Sequence, residues 1–542
     1  MNRSRAAVKH VRLFADTKKT SVEHGVFPAS AGARVKVIRW AGLAVAFACN
    51  PLASCAMGPD FQPPPAPDVK GYTQEPLVHQ TASALSRGGE TQRFVQDLDI
   101  PAKWWATFHS RPLNNLIEDA LRHNPDLQAA QAALRVAREN VEAQKGAFYP
   151  QASGNYNSYT QKVAAVVSPP GSTLSDYLTL HTLELDVSYT PDVFGLVRRQ
   201  VESLEAQSQA QRFQVEATFL TLTSNVVVAA IQEASLRGQI DATKKIISVE
   251  TELLNLLRLQ KSFGHVAAAD VLAQEAALAQ AQQTLPPLEK QLAQQRDLLT
   301  ALAGRFPSDE VGEKFDLDSL HLAHELPVSL PSNLVEQRPD VQAAEASLHS
   351  ASAAIGVAIA NRLPVINLTA NLATSGTLFS QLFSPPATAY LFAGSVTQTL
   401  FDGFTLYHKQ KAAEAFYDAA EAQYRSTVIT AFQNVADTLH AIEADARAFK
   451  AAVAAEKAAF KSLDIVRKQA HLGQLSTLAV LNAEQTYLQA LLTRVQAEAN
   501  RYADTTALFQ ALGGGWWNRE DVPPKEPLDL ADVLRITAPM PK

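Results

Sequence analysis

The strongest constraint on the fold is a stretch without proline that runs from Asp402 to Gly514. Its apolar residues recur first at alternating steps of four and three and then at steps of seven, which is the heptad repeat of a coiled-coil seam. The first part of the seam comprises Val428, Phe432, Val435, Leu439, Ile442, Ala446, Phe449 and Val453, and the second comprises Leu481, Leu488, Val495, Tyr502 and Phe509. The repeat predicts two long α-helices that pack along each other.

Gly473 separates the two parts of the seam and predicts a tight turn between the helices. Glycine readily takes the left-handed conformation that ends a helix, and Ser476 can cap the helix that follows. The first helix, which is expected to run to about Gln469, would be roughly 100 Å long at about 1.5 Å per residue. This length exceeds both a globular domain and a bilayer, so the helix is expected to cross a wide space.

Composition and motifs argue against a catalytic, metal-binding or nucleic-acid-binding function. The 542 residues carry a net charge of −6, which offers no footprint for nucleic acid. Cys49 and Cys55 are the only cysteines, so the body of the chain is expected to hold neither a disulfide framework nor a thiol metal site. The sequence contains no HExxH, P-loop or nucleophile-elbow motif, and His265, His321 and His324 are expected at the surface. We therefore predict no catalytic residue, metal or cofactor, and the protein is not expected to be an enzyme.

The N-terminal region has the pattern of a secretory signal. Arg34, Lys36 and Arg39 precede a short apolar run from Trp40, and Leu52-Ala53-Ser54-Cys55 follows. This last tetrapeptide resembles a bacterial lipobox, so Cys55 is the predicted site of acylation, with an ordinary signal peptide and modification of Cys49 as alternatives. The proline-rich residues that follow predict an extended tether.

The sequence contains an internal repeat of two similar units. Pro125-Asp126 returns as Pro339-Asp340, Asp192 and Gly195 answer Asp402 and Gly403, Gly264 answers Gly473, and Ala303-Gly304 answers Leu512-Gly513. Because the matches keep one order and nearly constant spacing, they indicate a duplicated unit. Each unit begins with an alanine-rich helix, from Asn114 to about Lys145 and from Ser332 to about Asn361, with a restart at Asn124-Pro125 and at Arg338-Pro339.

Each unit then changes to a period of two, which predicts β-strands. Apolar residues alternate with polar ones from Leu183 to Thr190, from Ile366 to Leu372 and from Tyr390 to Leu400. The stretch from Tyr149 to Val163 is less regular but is rich in Tyr, Ser and Asn. A loop with Ser-Pro-Pro joins the two strands of each unit. The first unit then repeats the long helix pair, with Glu233 as an exception in the apolar seam and with a kink or break expected at Pro286-Pro287.

Four strands in one chain are too few to enclose a water-filled pore, because membrane barrels begin at about eight strands. An open sheet also leaves backbone groups unpaired, which the bilayer core does not tolerate. The sheet is therefore expected to be completed by copies of the same chain, with eight strands in a dimer or twelve in a trimer. Outside the signal there is no uninterrupted apolar run of about twenty residues, so no spanning helix is expected. These features favour the outer membrane, with the helices extending into the periplasm.

These residues resemble the TolC/NodT family of outer-membrane efflux lipoproteins over about Leu52 to Trp516. The matching motifs are Cys55 through Gln62, Trp104-Trp105 with Phe108 and Leu113, Asn124-Pro125-Asp126-Leu127, Arg338-Pro339-Asp340-Val341 and Gly513-Gly514-Gly515-Trp516. The resemblance implies a mostly α fold with a small transmembrane β part, assembled as a homotrimer with a twelve-stranded barrel and a periplasmic tunnel of twelve helices. It also implies docking to a periplasmic adaptor and to an inner-membrane pump of the resistance-nodulation-division type. The chain would then be a passive exit duct for small molecules.

The resemblance also suggests a gate at the periplasmic end, near the helix turns at Gly264 and Gly473. The positions that match the family's inward-facing leucine and aspartate rings are Leu478 and Asn482, whereas Ala479 replaces a further aspartate. Asp270 matches a family position involved in closing the gate. From the residues alone, Leu478 is alternatively an ordinary seam residue, and Asp270 is alternatively an acid in the first turn of a helix, where the helix dipole favours it.

The expected organisation follows from these patterns. Residues 1–54 form a signal with its lipobox, 55–108 an acylated tether, 109–304 the first repeat, 305–331 a connector, 332–514 the second repeat and 515–542 a tail. The competing hypothesis is a periplasmic coiled-coil adaptor or structural protein without a pore. Adaptors usually show one helical hairpin beside a lipoyl-type β domain, whereas two hairpins alternate with strand pairs here.

Overall fold

The computed structural model describes residues 56–69, 71–162 and 177–520. The predicted signal segment, Cys55, the first Ser-Pro-Pro loop and most of the predicted tail lie outside these ranges. The first unit contains helices α1 (Arg111–His123) and α2 (Pro125–Lys145), strands β2 (Gln151–Lys162) and β3 (Tyr177–Tyr189), and helices α3 (Leu196–Ser262) and α4 (Ala268–Leu302). A short strand, β1 (Arg93–Gln96), precedes it.

The second unit repeats this order. It contains helices α5 (Pro331–Gln337) and α6 (Pro339–Ala360), strands β5 (Val365–Gly376) and β6 (Thr388–Thr397), and helices α7 (Thr405–His471) and α8 (Thr477–Ala511). The connector before it carries strand β4 (Glu325–Val328). The predicted sequence of a divided helix, two strands and a long helix pair is therefore confirmed in both units.

The four long strands form one antiparallel sheet in the order β2-β3-β5-β6. The middle pair joins the two units, with Leu185 opposite Leu372 and Tyr189 opposite Leu368. β2 and β6 each pair on one side only among the described residues, so both outer edges of the sheet are open within one chain.

Among the described residues, the helices form a layer that is also open at both edges. Nearer the sheet, helices pack in the order α2-α3-α6-α7, and farther from it the order is α4-α3-α8-α7. α3 is thus an inner helix of both arrangements, whereas its counterpart α7 lies at an edge in both. At about 1.5 Å per residue, the 67 residues of α3 and of α7 span roughly 100 Å, as the heptad repeat predicts.

The duplicated aspartates explain how both long helices begin. The Asp192 carboxylate accepts hydrogen bonds from the backbone N–H groups of Val197 and Arg198, both at 3.0 Å. Asp402 accepts one from the N–H group of Leu406 at 2.8 Å. Each carboxylate therefore satisfies donors that the first turn of a helix leaves free. The residue before each helix is left-handed, and in the second unit this residue is Phe404 (φ 67°) rather than a glycine.

Irregular segments before the first unit and in the connector, which we call the belt, pack against the long helices. β1 and β4 pair in parallel, which links the segment before the first unit to the connector. Trp104, Trp105 and Phe108 are buried beneath this belt, and Trp104 stacks on Phe509 of α8 at 5.3 Å between ring centroids. The tryptophans are therefore packing anchors between the belt and the helices. The parallel strand pair is not predicted from the sequence.

Glu233 does not interrupt the seam, because the surrounding residues satisfy its charge. Its side chain is fully buried and accepts hydrogen bonds from Arg237 at 2.6 Å and from Arg296 of α4 at 2.8 Å. Its second oxygen accepts one from the backbone N–H group of Phe315 in the connector at 3.3 Å. One carboxylate thus joins both helices of the pair to the connector.

Of the kink or break predicted at Pro286-Pro287, the break does not occur, because α4 continues through both residues. Each proline removes one backbone donor, which leaves a carbonyl group one turn earlier without its helical partner. Both prolines lie on the exposed side of the helix, where water can satisfy those carbonyl groups. Leu285 and Leu292 keep the opposite side of α4 against α3.

Two helices are long and apolar enough to cross a membrane by length and composition, Leu196–Ser262 and Pro339–Ala360. The sequence predicts no spanning helix, because neither segment contains an uninterrupted apolar run of about twenty residues. The apolar windows of the two helices are 67% and 44% buried inside the protein. The two helices pack on each other, so their apolar character is that of an internal helix contact.

Candidate functional site

The sheet separates apolar from polar side chains. Opposite residues of antiparallel strands share a face, so the register places most of the large apolar residues of the four strands on one side. This apolar face comprises Tyr156, Leu183, Leu185, Val187, Tyr189, Ile366, Leu368, Leu372, Tyr390, Phe392 and Val396. Tyr390, Phe392 and Val396 on the edge strand are 75%, 76% and 69% exposed, so nothing in the described part of the chain covers them. A face of this kind is suited to lipid.

The opposite face is polar and hydrogen-bonded across strands. Asp186 of β3 accepts from the side-chain amide of Asn155 on β2 at 3.1 Å and from that of Asn371 on β5 at 2.6 Å. Glu184 also lies on this face. Its apolar exceptions are Tyr159, Leu178, Leu180, Val365 and Leu391. An apolar face backed by a polar one is the arrangement of a wall between lipid and water.

The two helix turns have the same geometry at the far end of the molecule. Gly264 and Gly473 are left-handed, with φ angles of 78° and 74°. In the first turn the N–H group of His265 donates to the Gln260 carbonyl group, and in the second Gln474 donates to Gln469, both at 2.9 Å. This is the six-to-one hydrogen bond of a Schellman helix end, in which the left-handed position favours glycine. Both predicted turns are therefore confirmed as structural features.

Two of the predicted gate residues make contacts within the chain. The Asp270 carboxylate accepts from the N–H group of Ala267 at 3.1 Å and so caps the start of α4. Leu478 packs against a cluster that we call the tip cluster, and Asn482 is exposed. Ser476 is the N-cap residue of α8, but its side chain makes no capping hydrogen bond. The tip cluster consists of Val249, Leu253, Leu254, Leu257, Val271, Leu481 and Leu488.

Apolar side chains remain exposed around both turns. Phe263 and Leu272 at the first turn are 68% and 63% exposed, and Leu472 at the second is 73% exposed. Apolar side chains concentrated at the end of a long projection mark a contact surface for another molecule.

The first described residues are held where the sheet meets the helices. The fully buried Arg199 of α3 donates to the Met57 carbonyl group at 3.1 Å and pairs with Asp60 at 2.7 Å. The N–H group of Met57 donates to the Phe194 carbonyl group at 3.2 Å. Ala56 lies close to Gly195, because a Cβ atom added to Gly195 would be 2.6 Å from the Cα atom of Ala56. The start of the tether therefore has a fixed place at the level of the sheet's junction with α3.

Buried carboxyl groups lie under the belt at mid-height. Glu498 of α8 is 2% exposed and accepts from Arg494 at 2.5 Å. Burial is the main cause that raises the pKa of the Glu498 carboxyl group to about 7. The positive charge of Arg494 lowers this pKa, whereas the nearby negative charges of Asp318 and Glu90 raise it. Burial also raises the pKa of Asp504 to about 7, and Asp445 of α7 adds to this shift through charge repulsion and a hydrogen bond. Both shifts favour the neutral form relative to that of an exposed carboxyl group.

The rest of the described structure offers no clear chemical centre. Within residues 56–69, 71–162 and 177–520, no group of three His, Cys, Asp or Glu side chains is placed to hold a metal ion. His265, His321 and His324 are exposed, as expected.

An open sheet with one lipid-facing side, carried on helices of about 100 Å, defines a subunit of a membrane channel with a long helical extension. The chain belongs to the outer membrane efflux protein family, whose model matches residues 116–305 and 330–514. It is therefore an outer-membrane efflux channel protein rather than a pore-free periplasmic adaptor.

Similar proteins span nearly the whole chain. The toluene efflux pump outer membrane protein TtgC of Pseudomonas putida is 28% identical over 476 residues, which covers 86% of this chain and 94% of TtgC. The cation efflux system protein CusC of Escherichia coli is 26% identical, with 86% and 96% covered. The solved outer-membrane channel OprN is 26% identical and superposes with a TM-score of 0.73, covering 85% of this chain and all of OprN.

Proposed function

We propose that three copies of this chain form a twelve-stranded barrel in the outer membrane, which continues into a periplasmic tunnel of twelve helices. The observation that supports this most directly is that the sheet and the helix layer are both open at both edges, while the apolar face of the sheet is uncovered. Closing the sheet with further copies pairs the backbone groups of β2 and β6, which a bilayer requires.

The proposed assembly is tested by size and conductance together. The full-length protein, extracted from outer membranes in mild detergent, should have about three times the mass of one chain in light scattering. The same preparation should conduct ions in planar bilayers. A preparation that is monomeric and non-conducting would overturn the proposal.

The exposed apolar side chains at the helix turns support docking to a periplasmic adaptor, which would connect the duct to an inner-membrane pump of the resistance-nodulation-division type. We propose that the pump selects the cargo and that this chain supplies only the exit path for small molecules. Relatives whose names specify toluene and cations have similar identities to this chain, 28% and 26%, which favours selection outside the duct. The duct itself needs no cofactor for this role.

We propose that Leu478 and Asn482 face the pore at the closed periplasmic end and that Asp270 helps to hold the first turn in place. Three copies would bring three Asn482 side chains together, which can hydrogen-bond between subunits but lack the charge of an acidic ring. The capping bond of Asp270 supports a positioning role, because it fixes the start of α4 beside the turn at Gly264.

We propose that Cys55 is acylated and that its lipid inserts beside the sheet. The contacts of Met57 and Asp60 with Arg199 place the start of the tether at the junction of sheet and helices, which supports an anchor at this level. Labelling with a clickable palmitate analogue should be lost in Cys55→Ser and retained in Cys49→Ser. Retained labelling in the first variant would overturn the assignment. In this division of the chain, residues 1–54 are the signal, 55–108 the tether, 109–304 and 332–514 the repeats, 305–331 the connector and 515–542 the tail.

A further inference from the structure

We infer that residues 377–383, in the loop between β5 and β6, lie on the outer side of the barrel and bind the acyl chains of the outer leaflet. We call these residues the rim segment. The inference rests on the proposed barrel and goes beyond it, because it assigns a lipid contact to a loop rather than to a strand. The path of the segment, its exposed side chains and its distance from the helices carry the inference.

The rim segment folds back over the apolar face of the sheet. Gly376, the last residue of β5, lies opposite His181 of β3 on that face. The chain then forms a short 3₁₀-helix, Phe379–Phe383. The ring centroid of Phe379 lies 6.0 Å from that of Tyr156 and 6.3 Å from that of His181, and both of these partners project from the apolar face. The segment therefore lies on the side of the sheet that faces lipid in the proposed barrel, and not over the pore.

Contacts within the loop hold the rim segment in this position. The side-chain oxygen of Gln381 accepts hydrogen bonds from the backbone N–H groups of Thr377 at 2.9 Å and Leu378 at 3.1 Å. A Cβ atom added to Gly376 would lie 2.7 Å from the Cβ atom of Gln381, so the close turn requires a glycine. Leu382 is buried and anchors the end of the segment. The segment is therefore fixed against the sheet by contacts within the chain.

Three large apolar side chains of the rim segment remain uncovered in the described part of the chain. Leu378, Phe379 and Phe383 are 61%, 55% and 70% exposed. The ring centroids of the two phenylalanines are 5.7 Å apart, so these rings form one apolar patch. Because Phe379 also contacts the apolar face of the sheet, the patch continues that face without a break. Continuity with a lipid-facing surface identifies lipid as the molecule that covers the patch.

The height of the rim segment places it at the outer border of the membrane. Phe379 contacts His181, and β3 ends near the helices at Tyr189. The strand from His181 to Tyr189 rises roughly 20 Å along the barrel axis at about 3.3 Å per residue and a tilt of about 40°. The apolar band of an outer-membrane barrel is about 25 Å tall. The segment therefore lies near the upper border of this band, within reach of the acyl chains of the outer leaflet.

The lack of charge identifies acyl chains, rather than lipid phosphate groups, as the partner. The sequence from Leu363 to Phe401, which includes β5, the rim segment and β6, contains no Asp, Glu, Lys, Arg or His. A phosphate group would therefore find no cationic side chain in the segment, whereas apolar side chains are stabilised when acyl chains replace the water around them. The chemistry of the segment thus matches the interior of the leaflet.

Spin labels on introduced cysteines test the surroundings of the rim segment. The full-length assembly is reconstituted in phosphatidylcholine vesicles, with Leu378→Cys and Phe383→Cys as the test variants. Phe392→Cys on the apolar face is the lipid-side control, and Ser375→Cys, which lies beside the segment on the polar face, is the water-side control. The unsubstituted protein reveals any label on Cys49 or Cys55.

The measurement compares collisions of each label with two relaxing agents. Dissolved oxygen concentrates among acyl chains, whereas a polar nickel chelate stays in water. The ratio of oxygen to nickel collisions at the two test positions should resemble that at Phe392 and should exceed that at Ser375 several-fold. Since Leu378 and Phe383 are exposed in one chain, their replacement leaves its core unchanged.

Each outcome decides the inference. Test labels that match the Phe392 label support it. Test labels that prefer the nickel chelate in an assembly that conducts ions overturn it and leave the proposed function standing. Labels shielded from both agents show that protein covers the segment, which overturns the assignment to lipid. A monomeric, non-conducting protein whose Phe392 label also prefers the nickel chelate overturns both the inference and the proposed function.

Discussion

The side-chain amide of Asn124 donates a hydrogen bond to the backbone carbonyl group of Leu302 at 3.1 Å, although the two residues begin and end different helices. At the equivalent place in the second unit, Arg338 donates to the carbonyl group of Ala511 at 3.0 Å. In each unit, therefore, the residue before the helix-starting proline reaches the last turn of the returning helix.

These junctions explain two of the duplicated motifs. The end of α4 meets the start of α2, and the end of α8 meets the start of α6. A Cβ atom on Gly304 would lie 2.4 Å from the His123 carbonyl oxygen, and one on Gly513 would lie 2.4 Å from that of Gln337. Both glycines also have positive φ angles, so the close approach and the backbone conformation each favour glycine.

Replacing Asn124 should separate its two functions. Its side-chain oxygen caps α2 by accepting from Asp126 and Leu127, while its amide group reaches Leu302. Asn124→Ala should lose both the cap and the bond to Leu302 and destabilise the protein by about 1–3 kcal/mol. Asn124→Asp keeps the cap, so it should destabilise the protein less. Apparent thermal midpoints of the purified protein measure the order. Equal midpoints for the two variants would contradict the role of the amide group.

Replacing Glu233 by an apolar residue should be strongly destabilising. Glu233→Leu leaves Arg296 and Arg237 beside a site that no longer offers a negative charge, at a cost of about 3–5 kcal/mol. The matched double variant Glu233→Leu/Arg296→Met removes the more buried cation as well and should recover part of this loss. Chemical unfolding of the three proteins provides the measurement. A double variant that is less stable than the single one would contradict the explanation.

Stability should fall as the pH rises through neutrality. Because the pKa of Glu498 is raised to about 7 in the folded state, the folded protein binds its proton more tightly than the unfolded chain does. The resulting stabilisation is fully present below the ordinary glutamate pKa of about 4.5 and is lost as the pH approaches and passes 7. Thermal midpoints between pH 5 and pH 8 should therefore decrease with rising pH.

Glu498→Gln and Asp504→Asn provide the controls for this pH dependence. Each variant replaces a titrating group by a neutral side chain of similar shape, so each should flatten the curve between pH 5 and pH 8. An unchanged slope in the double variant would show that other groups cause the dependence.

Replacing Leu478 by serine should raise the single-channel conductance if Leu478 narrows the closed end. Leu475→Ser is the matched control, because this leucine lies in the turn between the helices and is exposed. The tip cluster also loses a partner in the Leu478 variant, so its assembly must be confirmed by light scattering. Unchanged conductance in an intact assembly would remove Leu478 from the gate.

The long-range outline of the fold could be predicted from the sequence because it follows from periodicity. The heptads from Val428 to Val453 continue as a buried seam, and the period of two around Leu185 and Leu372 gives neighbouring strands. The turns at Gly264 and Gly473 were predictable because a left-handed position at a helix end favours glycine.

Other features depend on contacts that no local pattern reveals. β1 has four residues and pairs with β4 from the distant connector, so it carries too little periodicity to be detected. Glu233 breaks the apolar repeat, and only the fold shows that Arg296 and Arg237 surround it. The proposed gate positions depend on neighbouring copies, which the sequence of one chain does not specify.

The equal lengths of the paired helices constrain how the reach of this protein can change. α3 and α7 have 67 residues each, and α4 and α8 have 35 each, so both hairpins end at the same depth. Lengthening only one hairpin would place its turn at a different depth from the other turn. A change of reach that keeps the two turns level must therefore lengthen or shorten all four helices together.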